Sequence, residues 1–310
     1  MKIKIGTFNT ENLFLRYRLL DKERGSRGAK KIDFEDFEKN GYINLLGWTI
    51  EDFGPVGMAA RKLTAKVITQ NDPDIIALQE VENLEALLQF NRKYLDNLYP
   101  FAMVIDGNDL RQIDVGLLSK YEIGCVRTHR FEPEGSAPSA RTFSRDCLEA
   151  TVNLPEGKNL TFFVNHFKSK IGGGEEKRQV QSERVAEILK ERFGESLEGN
   201  FVVVGDLNNN YDAPELQSLL ALDDLENVIL RLPEDERWTH YYKKGKLAEQ
   251  LDYILLSPDL KNKNIKEKPF IERRGLGSDI DFYDGERFDE SLTGKDGASD
   301  HCAVFIELTI

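Results

Sequence analysis

The sequence is poor in cysteine and has no long hydrophobic run. Its three cysteines are Cys125, Cys147 and Cys302, and no two of them have the C-x-x-C spacing. This odd number and spacing argue against a disulfide framework and a zinc ribbon, so we expect a reducing compartment. No apolar run approaches the roughly 20 residues that span a bilayer, and no signal peptide is visible. We therefore predict a cytoplasmic protein without a membrane span, secreted only if a leader has been trimmed.

Positive charge is also in deficit. The formal net charge is −12, which argues against unselective coating of nucleic acid but not against a locally basic groove. The chain has 310 residues, of which 40% are hydrophobic and 31% are charged, and this composition suits a globular protein with a large core. Because no internal repeat or low-complexity linker divides the chain, we predict a single domain over residues 1–310.

Short apolar runs alternate with helical patterns along the chain. Residues 75–79 form a continuous apolar run that is typical of a buried strand, and residues 84–98 carry large apolar side chains on one helical face. Further strands are predicted at residues 2–8, 115–118, 151–154, 160–166, 201–205, 251–256 and 302–308. Further helices are predicted at residues 58–70, 175–193 and 213–222, the last with Asp212 as its N-cap. This alternation predicts a mixed α/β layered domain.

Two long irregular stretches interrupt the alternation, an insertion at about residues 16–55 and a loop at about residues 266–298. Residues 16–31 carry seven basic side chains, and residues 32–55 add aromatic ones. Loops of this length in a compact domain are usually functional or disordered. Two interpretations of the insertion stay open: a substrate-facing arm, or a solvated segment whose aromatic side chains pack on the body.

Acidic, amide and histidine residues follow or begin several predicted strands. They are Asn9, Glu80, His166, Asp206, Asn208, Asp252, Asp300 and His301. Any one of them alone is most often a turn or capping residue, so the functional inference depends on the ordered set and not on any single member. Oxygen donors select Mg²⁺ or Mn²⁺, and a histidine near pH 7 serves as a base. The set therefore suits metal-dependent cleavage of a phosphate ester.

Seven motif blocks carry a family resemblance from residue 7 to residue 301. The blocks are residues 7–14, 74–81, 114–119, 165–170, 205–208, 252–255 and 299–301. In this order they resemble the endonuclease/exonuclease/phosphatase, or deoxyribonuclease-I-like, superfamily, and most nearly its bacterial nucleases. The resemblance implies a four-layer αββα sandwich of two packed sheets and hydrolysis of phosphate esters with Mg²⁺ or Mn²⁺.

The resemblance also implies a metal site and a catalytic pair. Glu80 is similar to the principal metal ligand, with Asn9 and Asp300 as further ligands or water-mediated partners. His301 is similar to the catalytic histidine, and Asp252 to the carboxylate that fixes its tautomer and orientation.

Three further residues take roles by the same resemblance. Asp206 resembles the carboxylate that positions or deprotonates the attacking water, and Asn208 an amide donor to the scissile phosphate. His166 resembles a residue that contacts a phosphate oxygen or the leaving group. Whether His301 or Asp206 is the base, and whether one or two metal ions act, stays open.

Three basic residues near these motifs are candidate contacts for substrate phosphates. They are Arg141, Arg145 and Lys168. The alternative is that they form ordinary surface pairs with acidic residues, as most such side chains do.

We predict a nuclease that cleaves DNA or RNA and needs no obligatory protein partner. The basic residues 16–31 and the block at residues 165–170 favour a nucleic-acid substrate. The acidic total charge favours the alternative, a phosphomonoesterase or lipid-headgroup phosphodiesterase of the inositol phosphate or sphingomyelin type. A non-catalytic phosphate-binding protein is a third possibility, and the presence of every expected polar residue argues against it. Endonuclease and exonuclease action both stay open.

Overall fold

Two six-stranded β-sheets form the centre of the fold in the computed structural model. It describes residues 1–13, 58–135, 140–170, 172–222, 224–292 and 297–310, together with the backbone of three short strands between residues 18 and 51. The strands are β1 Lys2–Leu13, β2 Arg18–Asp21, β3 Asn44–Leu45, β4 Trp48–Glu51, β5 Ile75–Val81, β6 Phe101–Val104, β7 Asp114–Ser119, β8 Ile123–Arg127, β9 Cys147–Asn153, β10 Asn159–His166, β11 Phe201–Asp206, β12 Glu226–Asn227, β13 His240–Tyr242, β14 Leu247–Glu249, β15 Asp252–Leu256, β16 Phe270–Glu272 and β17 Ala303–Thr309. The α-helices are α1 Met58–Asn71, α2 Leu84–Tyr94, α3 Glu175–Phe193, α4 Gln217–Leu220, α5 Pro258–Lys263 and α6 Asp289–Leu292.

The first sheet has the strand order β16-β17-β1-β5-β7-β6. Its central strand β1 pairs antiparallel with β17 and parallel with β5, so Ile5 lies opposite both Ile306 and Ile75. The second sheet has the order β12-β15-β11-β10-β9-β8, and within it only β10 and β11 run parallel. Both sheets therefore contain parallel and antiparallel pairs.

The sheets pack against each other through one face and carry helices on the other. Ile5 of the first sheet and Val204 of the second belong to the same buried apolar cluster between the sheets. On the outer face of the first sheet, Phe8 packs with Leu63 of α1 and Leu87 of α2. Side chains alternate along a strand, which is why Ile5 and Phe8 face opposite layers.

Helix α3 covers the outer face of the second sheet. Its Val185 and Leu189 pack with Phe163 and Val203 of that sheet. The order of layers is therefore helix, sheet, sheet, helix, and the predicted four-layer αββα architecture is confirmed. No helix of the described ranges is long and apolar enough to cross a bilayer.

Several predicted boundaries are wrong for local reasons. The helix predicted at residues 213–222 starts as a 3₁₀ turn, Pro214–Leu216, and has only four α-helical residues, 217–220. Asp212 is not its cap, because Ala213 holds that position without a side-chain hydrogen bond. The helix predicted at residues 84–98 ends at Tyr94, after which Asp96 and Asn97 adopt positive φ angles of 52° and 55°.

The two long stretches are less irregular than predicted. The loop at residues 266–298 contains β16, which forms the edge of the first sheet, and the short helix α6. Within the insertion at residues 16–55, β2, β4 and β3 form a three-stranded antiparallel sheet. The other residues of that insertion, including most of the basic ones, lie outside the described residues.

Gly205 allows β10 and β11 to pair closely. It lies opposite Asn165 in the parallel register, and its φ of +127° is rarely adopted by residues with a side chain. A Cβ atom at this position would lie 2.0 Å from the carbonyl oxygen of Asn165. A residue other than glycine would therefore force these two strands apart.

Replacement of this glycine should be costly. We expect Gly205→Ala to lower the free energy of unfolding by more than about 3 kcal/mol, because backbone strain and a steric clash add. Urea denaturation followed by circular dichroism measures the change. Gly194→Ala is the matched control, since φ is +74° there and a Cβ atom would meet no described atom within 4 Å. Equal losses in the two variants would contradict the steric explanation.

Candidate active site

One row of side chains crosses the second sheet at the end of its parallel pair. His166 of β10 lies opposite Asp206 of β11, and Asp206 lies opposite Asp252 of β15. Residues opposite each other in neighbouring strands point to the same face. The three side chains therefore stand side by side, and all are buried.

The first sheet adds residues from its facing edge. Asn9 of β1 donates from Nδ2 to Oδ2 of Asp206 at 3.1 Å, which joins the two sheets. Ser299 donates to the backbone oxygen of Asn9 at 2.7 Å and accepts from the backbone N–H of His301 at 3.0 Å. Ser299 thus fixes His301 beside the row.

Asp206 is the centre of this group. It accepts hydrogen bonds from the backbone N–H of Asn208 at 2.7 Å and from its Nδ2 at 3.0 Å. Nε2 of His166 lies 3.5 Å from Oδ2 of Asp206, and Nε2 of His301 lies 3.8 Å from the same oxygen. Burial, followed by the charge of Asp252, raises the pKa of Asp206 to about 7. This carboxylate is therefore poised to exchange a proton near neutral pH.

His301 is oriented by Asp252. Its Nδ1 lies 2.8 Å from Oδ2 of Asp252, so Nε2 is the nitrogen that faces Asp206. Burial alone would lower the pKa of His301, but the carboxylates of Asp252 and Asp206 outweigh it and hold this pKa well above the ordinary value. Oγ1 of Thr239 accepts from the backbone N–H of Asp252 at 3.0 Å and so anchors the pair.

The pKa of His166 is shifted in the opposite direction from that of His301. It is buried, and burial together with the charge of Arg145 lowers its pKa well below the ordinary value of a histidine. Its Nε2 lies 3.9 Å from Oε1 of Glu80. The neutral ring therefore lies between Glu80 and Asp206, and it can offer an N–H without adding positive charge.

Glu80 lies at an irregularity in its strand. The pairing of β5 with β7 shifts between Gln79 and Val81, and Glu80 has a positive φ of 63°. This bulge turns its carboxylate toward the site, where Asn9 hydrogen-bonds it. Burial, followed by the charge of Asp300, raises the pKa of Glu80. A bulge of this kind next to a functional site re-aims a side chain.

The predicted metal ligands lie on one side of the group. Glu80 and Asn9 are in contact, and the charge of Asp300 acts on Glu80. Side-chain exposure is 20% for Glu80 and 41% for Asp300, so this side opens to solvent. Glu80, Asn9 and Asp300 all offer oxygen atoms, and the carboxylates of Glu80 and Asp300 together place excess negative charge at this side. The donor set therefore fits a hard divalent cation such as Mg²⁺ or Mn²⁺.

Two residues of this region, Glu11 and His240, were not predicted as site residues from the sequence. Oε2 of Glu11 accepts from the backbone N–H of Asp300 at 3.1 Å, and burial with the charge of Asp300 raises the pKa of Glu11 to about 7. Nε2 of His240 lies 3.8 Å from Oδ2 of Asp300, and its ring centroid lies 4.7 Å from that of His301. Glu11 follows Asn9 by two residues, a spacing on one strand that predicts a shared face. His240 gave no comparable signal.

Three-residue groups of close ligand atoms overlap at His301. Among the described residues, one group consists of His240, Asp300 and His301. The other consists of Asp206, Asp252 and His301, and within each group all ligand atoms lie within 4.8 Å of one another. The second group holds the short His301–Asp252 hydrogen bond, which suits proton transfer. The predicted ligands Glu80 and Asn9 belong to neither group, so the predicted metal set stays a prediction.

The basic candidates lie in different places. Arg145 is buried, forms an ion pair with Asp109 at 3.2 Å and donates to the backbone oxygen of Phe167 at 3.0 Å. Lys168 lies beside it, and burial together with the charges of Arg145 and Arg111 lowers the pKa of Lys168. Arg141 lines a cavity together with Asn108 and Ser144, which are the chain neighbours of Asp109 and Arg145.

Asn208 is held firmly in its present position. Besides its bonds to Asp206, its Nδ2 donates to the backbone oxygen of Phe167 at 3.1 Å. Its φ of 54° is a left-handed conformation that asparagine tolerates better than most residues. Donation to a phosphate therefore requires one of these bonds to open.

Comparison with known proteins identifies one family. The family described as Endonuclease/Exonuclease/phosphatase matches residues 56–301, well over half of the chain. No curated protein sequence matches significantly. Similar solved structures include truncated TDP2 from Caenorhabditis elegans, with a TM-score of 0.63, 15% identity and coverage of 100% of this chain and 98% of that chain.

Two further solved structures have the same fold. An endonuclease/exonuclease/phosphatase from Bacteroides vulgatus has a TM-score of 0.60 at 14% identity, covering 100% of this chain and 99% of that chain. The beta toxin 275-280 structure from Staphylococcus aureus has a TM-score of 0.60 at 15% identity, covering 98% of this chain and 99% of that chain. Identities this low bear on the fold alone.

Removal of the charge that orients His301 should reduce turnover. We expect Asp252→Asn to lower kcat by about 10²- to 10⁴-fold, because the amide cannot stabilise a charged imidazole or hold the same tautomer. Steady-state hydrolysis of bis(p-nitrophenyl) phosphate measures the effect. Asp259→Asn is the control, since its carboxylate bonds the backbone N–H of Gly199 at 2.8 Å in an exposed place. An unchanged kcat for Asp252→Asn would contradict the assigned pair.

Metal binding should be visible as thermal stabilisation. A cation at 100 times its Kd adds about 2.7 kcal/mol to the free energy of unfolding, so we expect Mg²⁺ or Mn²⁺ to raise the Tm by several degrees. Glu80→Gln should remove most of this shift. Glu85→Gln should retain it, because Glu85 is an exposed partner of Arg92. An equal shift in Glu80→Gln and the wild type would count against Glu80 as a ligand.

Proposed function

Because the chain belongs to the Endonuclease/Exonuclease/phosphatase family, whose members are metal-dependent phosphoric ester hydrolases, we propose that it is a nuclease. The observation that carries this proposal is the cationic side of the site. Arg111 and Arg145 both form ion pairs with Asp109, and burial, followed by the charges of Arg145 and Arg111, lowers the pKa of Lys168, in a chain with a net charge of −12. Such a local concentration of positive charge attracts a polyanion.

The cationic side distinguishes between phosphodiester substrates. A nucleic acid carries further phosphates beside the scissile one, and these gain from nearby Arg and Lys side chains. A lipid headgroup such as choline carries a positive charge, which the same side chains would repel. Arg111 and Arg145 both pair with Asp109, which holds the two guanidinium groups together. The charge arrangement therefore supports nucleic acid over a cationic headgroup.

The proposed mechanism uses the buried row for proton transfer. Asp252 holds Nδ1 of His301, so Nε2 of His301 and Oδ2 of Asp206 face each other across 3.8 Å. Water bound beside them would add to phosphorus as the P–O bond to the leaving oxygen breaks, and its proton would pass to this coupled pair. The leaving oxygen would take up a proton from solvent, to which the pair then returns its own. The hydrogen bonds from Asn9 and Asn208 keep the carboxylate of Asp206 in position.

The other residues act on the phosphate. His166 is neutral and would donate a hydrogen bond to a phosphate oxygen or the leaving group. Mg²⁺ or Mn²⁺, held by Glu80 with Asn9, Asp300 and Glu11, would supply charge stabilisation of the transition state when bound. The open, acidic side of the group is consistent with this assignment.

We further infer that the protein acts in the cytoplasm without an obligatory protein partner. Its three cysteines are free thiols, and two of them, Cys147 and Cys302, are buried. Free thiols persist in a reducing compartment.

A substrate panel tests the proposed nuclease. With Mg²⁺ or Mn²⁺ at low salt we expect cleavage of DNA or RNA, a steep loss of kcat/KM with rising salt, and little hydrolysis of inositol phosphates or sphingomyelin. Gel assays and phosphate release measure these rates. His301→Ala should lower the nuclease rate by about 10²- to 10⁴-fold, which excludes a contaminating enzyme. Intact nucleic acid alongside rapid turnover of a lipid or inositol phosphate would overturn the proposal.

A further inference from the structure

We propose that a cavity beside the catalytic group binds the base of a nucleotide next to the scissile phosphate, with Phe131 as the stacking surface. This inference rests on the proposed nuclease function and assigns a substrate subsite to it. The cavity has a volume of about 520 Å³. Its lining residues within the described part of the chain are Asn108, Phe131, Arg141, Phe143 and Ser144. This volume lies in the range of small-molecule sites.

Phe131 has the properties of a stacking platform. Its side chain is 65% exposed although it is a large apolar ring, and the guanidinium of Arg130 lies 5.1 Å from the ring centroid. Single strands are commonly held by bases stacked on aromatic rings and arginine planes, without sequence readout. An exposed ring at a cavity therefore fits a nucleobase.

The cavity is joined to the catalytic group by short links. Asn108 connects the two walls of the cavity. Its backbone N–H donates to the backbone oxygen of Ser144 at 2.7 Å, and its side chain donates to the backbone oxygen of Phe143 at 2.9 Å. Asp109 follows Asn108 in the chain and Arg145 follows Ser144, and these two residues form the ion pair described above. Arg145 in turn donates to the backbone oxygen of Phe167, directly after His166.

Gly107 allows the two walls to approach. A Cβ atom there would lie 2.9 Å from Cα of Arg145, closer than real side chains come. The loop that carries Asn108 is therefore packed directly against the segment that carries Arg145. Asn108 and Ser144, which line the cavity, are therefore direct chain neighbours of the Asp109–Arg145 ion pair.

The charge and polarity of the walls select the occupant. Arg141 provides a cation for a backbone phosphate. Ser144 and the side-chain oxygen of Asn108 provide polar atoms for a base edge, since Nδ2 of Asn108 already donates to the backbone oxygens of Arg130 at 2.7 Å and Phe143 at 2.9 Å. An acyl chain bound here would lie against the charged guanidinium groups of Arg130 and Arg141, which is unfavourable for an apolar chain. A nucleotide uses both the apolar ring and the charge, so we assign the cavity to nucleic acid and not to lipid.

Two probes of equal length and charge test the stacking role. They are a single-stranded oligothymidylate and an oligomer of tetrahydrofuran abasic nucleotides. We expect Phe131→Ala to weaken binding and kcat/KM for the oligothymidylate by about 5- to 150-fold and to leave both values for the abasic oligomer nearly unchanged. Phe131→Trp should retain the preference for bases. Fluorescence anisotropy with chelator measures binding, and gel assays with Mg²⁺ measure kcat/KM.

Control variants separate stacking from other effects. Phe270→Ala removes a ring that is 50% exposed on β16, the edge strand of the first sheet, and should change neither probe. Arg141→Met should weaken both probes alike and reduce the salt dependence by about one phosphate contact, because phosphate contacts do not depend on the base. Thermal unfolding verifies that each variant is folded.

The outcomes are distinguishable. If the wild type cleaves nucleic acid but Phe131→Ala affects both probes equally, or neither, the base subsite is wrong and the nuclease function stands. If the wild type neither binds nor cleaves any nucleic acid, the nuclease function fails and the subsite fails with it.

Discussion

The hydrogen bond from Asn9 to Asp206 is the interaction on which the site depends. It crosses between the two sheets at 3.1 Å, with both side chains buried. Two imidazole groups, His166 and His301, lie within 4 Å of the same carboxylate oxygen. An isolated charge at this depth would be prohibitively costly, so the amides of Asn9 and Asn208 make a central carboxylate tolerable. The interior packing of the sheets in turn fixes the distance across which this bond forms.

Much of the fold could be predicted, because strands buried on both faces are continuous apolar runs. Residues 75–79 and 201–205 lie in β5 and β11. The site residues could be proposed from their positions at strand ends, although only motif order assigned their roles. Register could not be predicted, since the opposition of His166 and Asp206 arises from pairing between segments about 40 residues apart.

Other features of the site depend on distant partners and escaped prediction. Arg145, predicted as a phosphate contact, forms a buried ion pair with Asp109, a partner that its local sequence does not indicate. His240 comes from the hairpin of β13 and β14, and nothing in its local sequence indicates that its ring meets His301. Propensity and periodicity are local signals, whereas burial and electrostatic coupling are set by the whole fold.

The row formed by His166, Asp206 and Asp252 makes enzymatic turnover a sensitive reporter of correct folding. A slip of one residue between β10 and β11 would turn one of the two facing side chains into the opposite layer, since the side-chain period of a strand is two. A misregistered molecule would retain its secondary structure and much of its compactness but would lose the aligned proton-transfer group. Spectroscopic helix and strand content could therefore look native in a preparation whose active fraction is small.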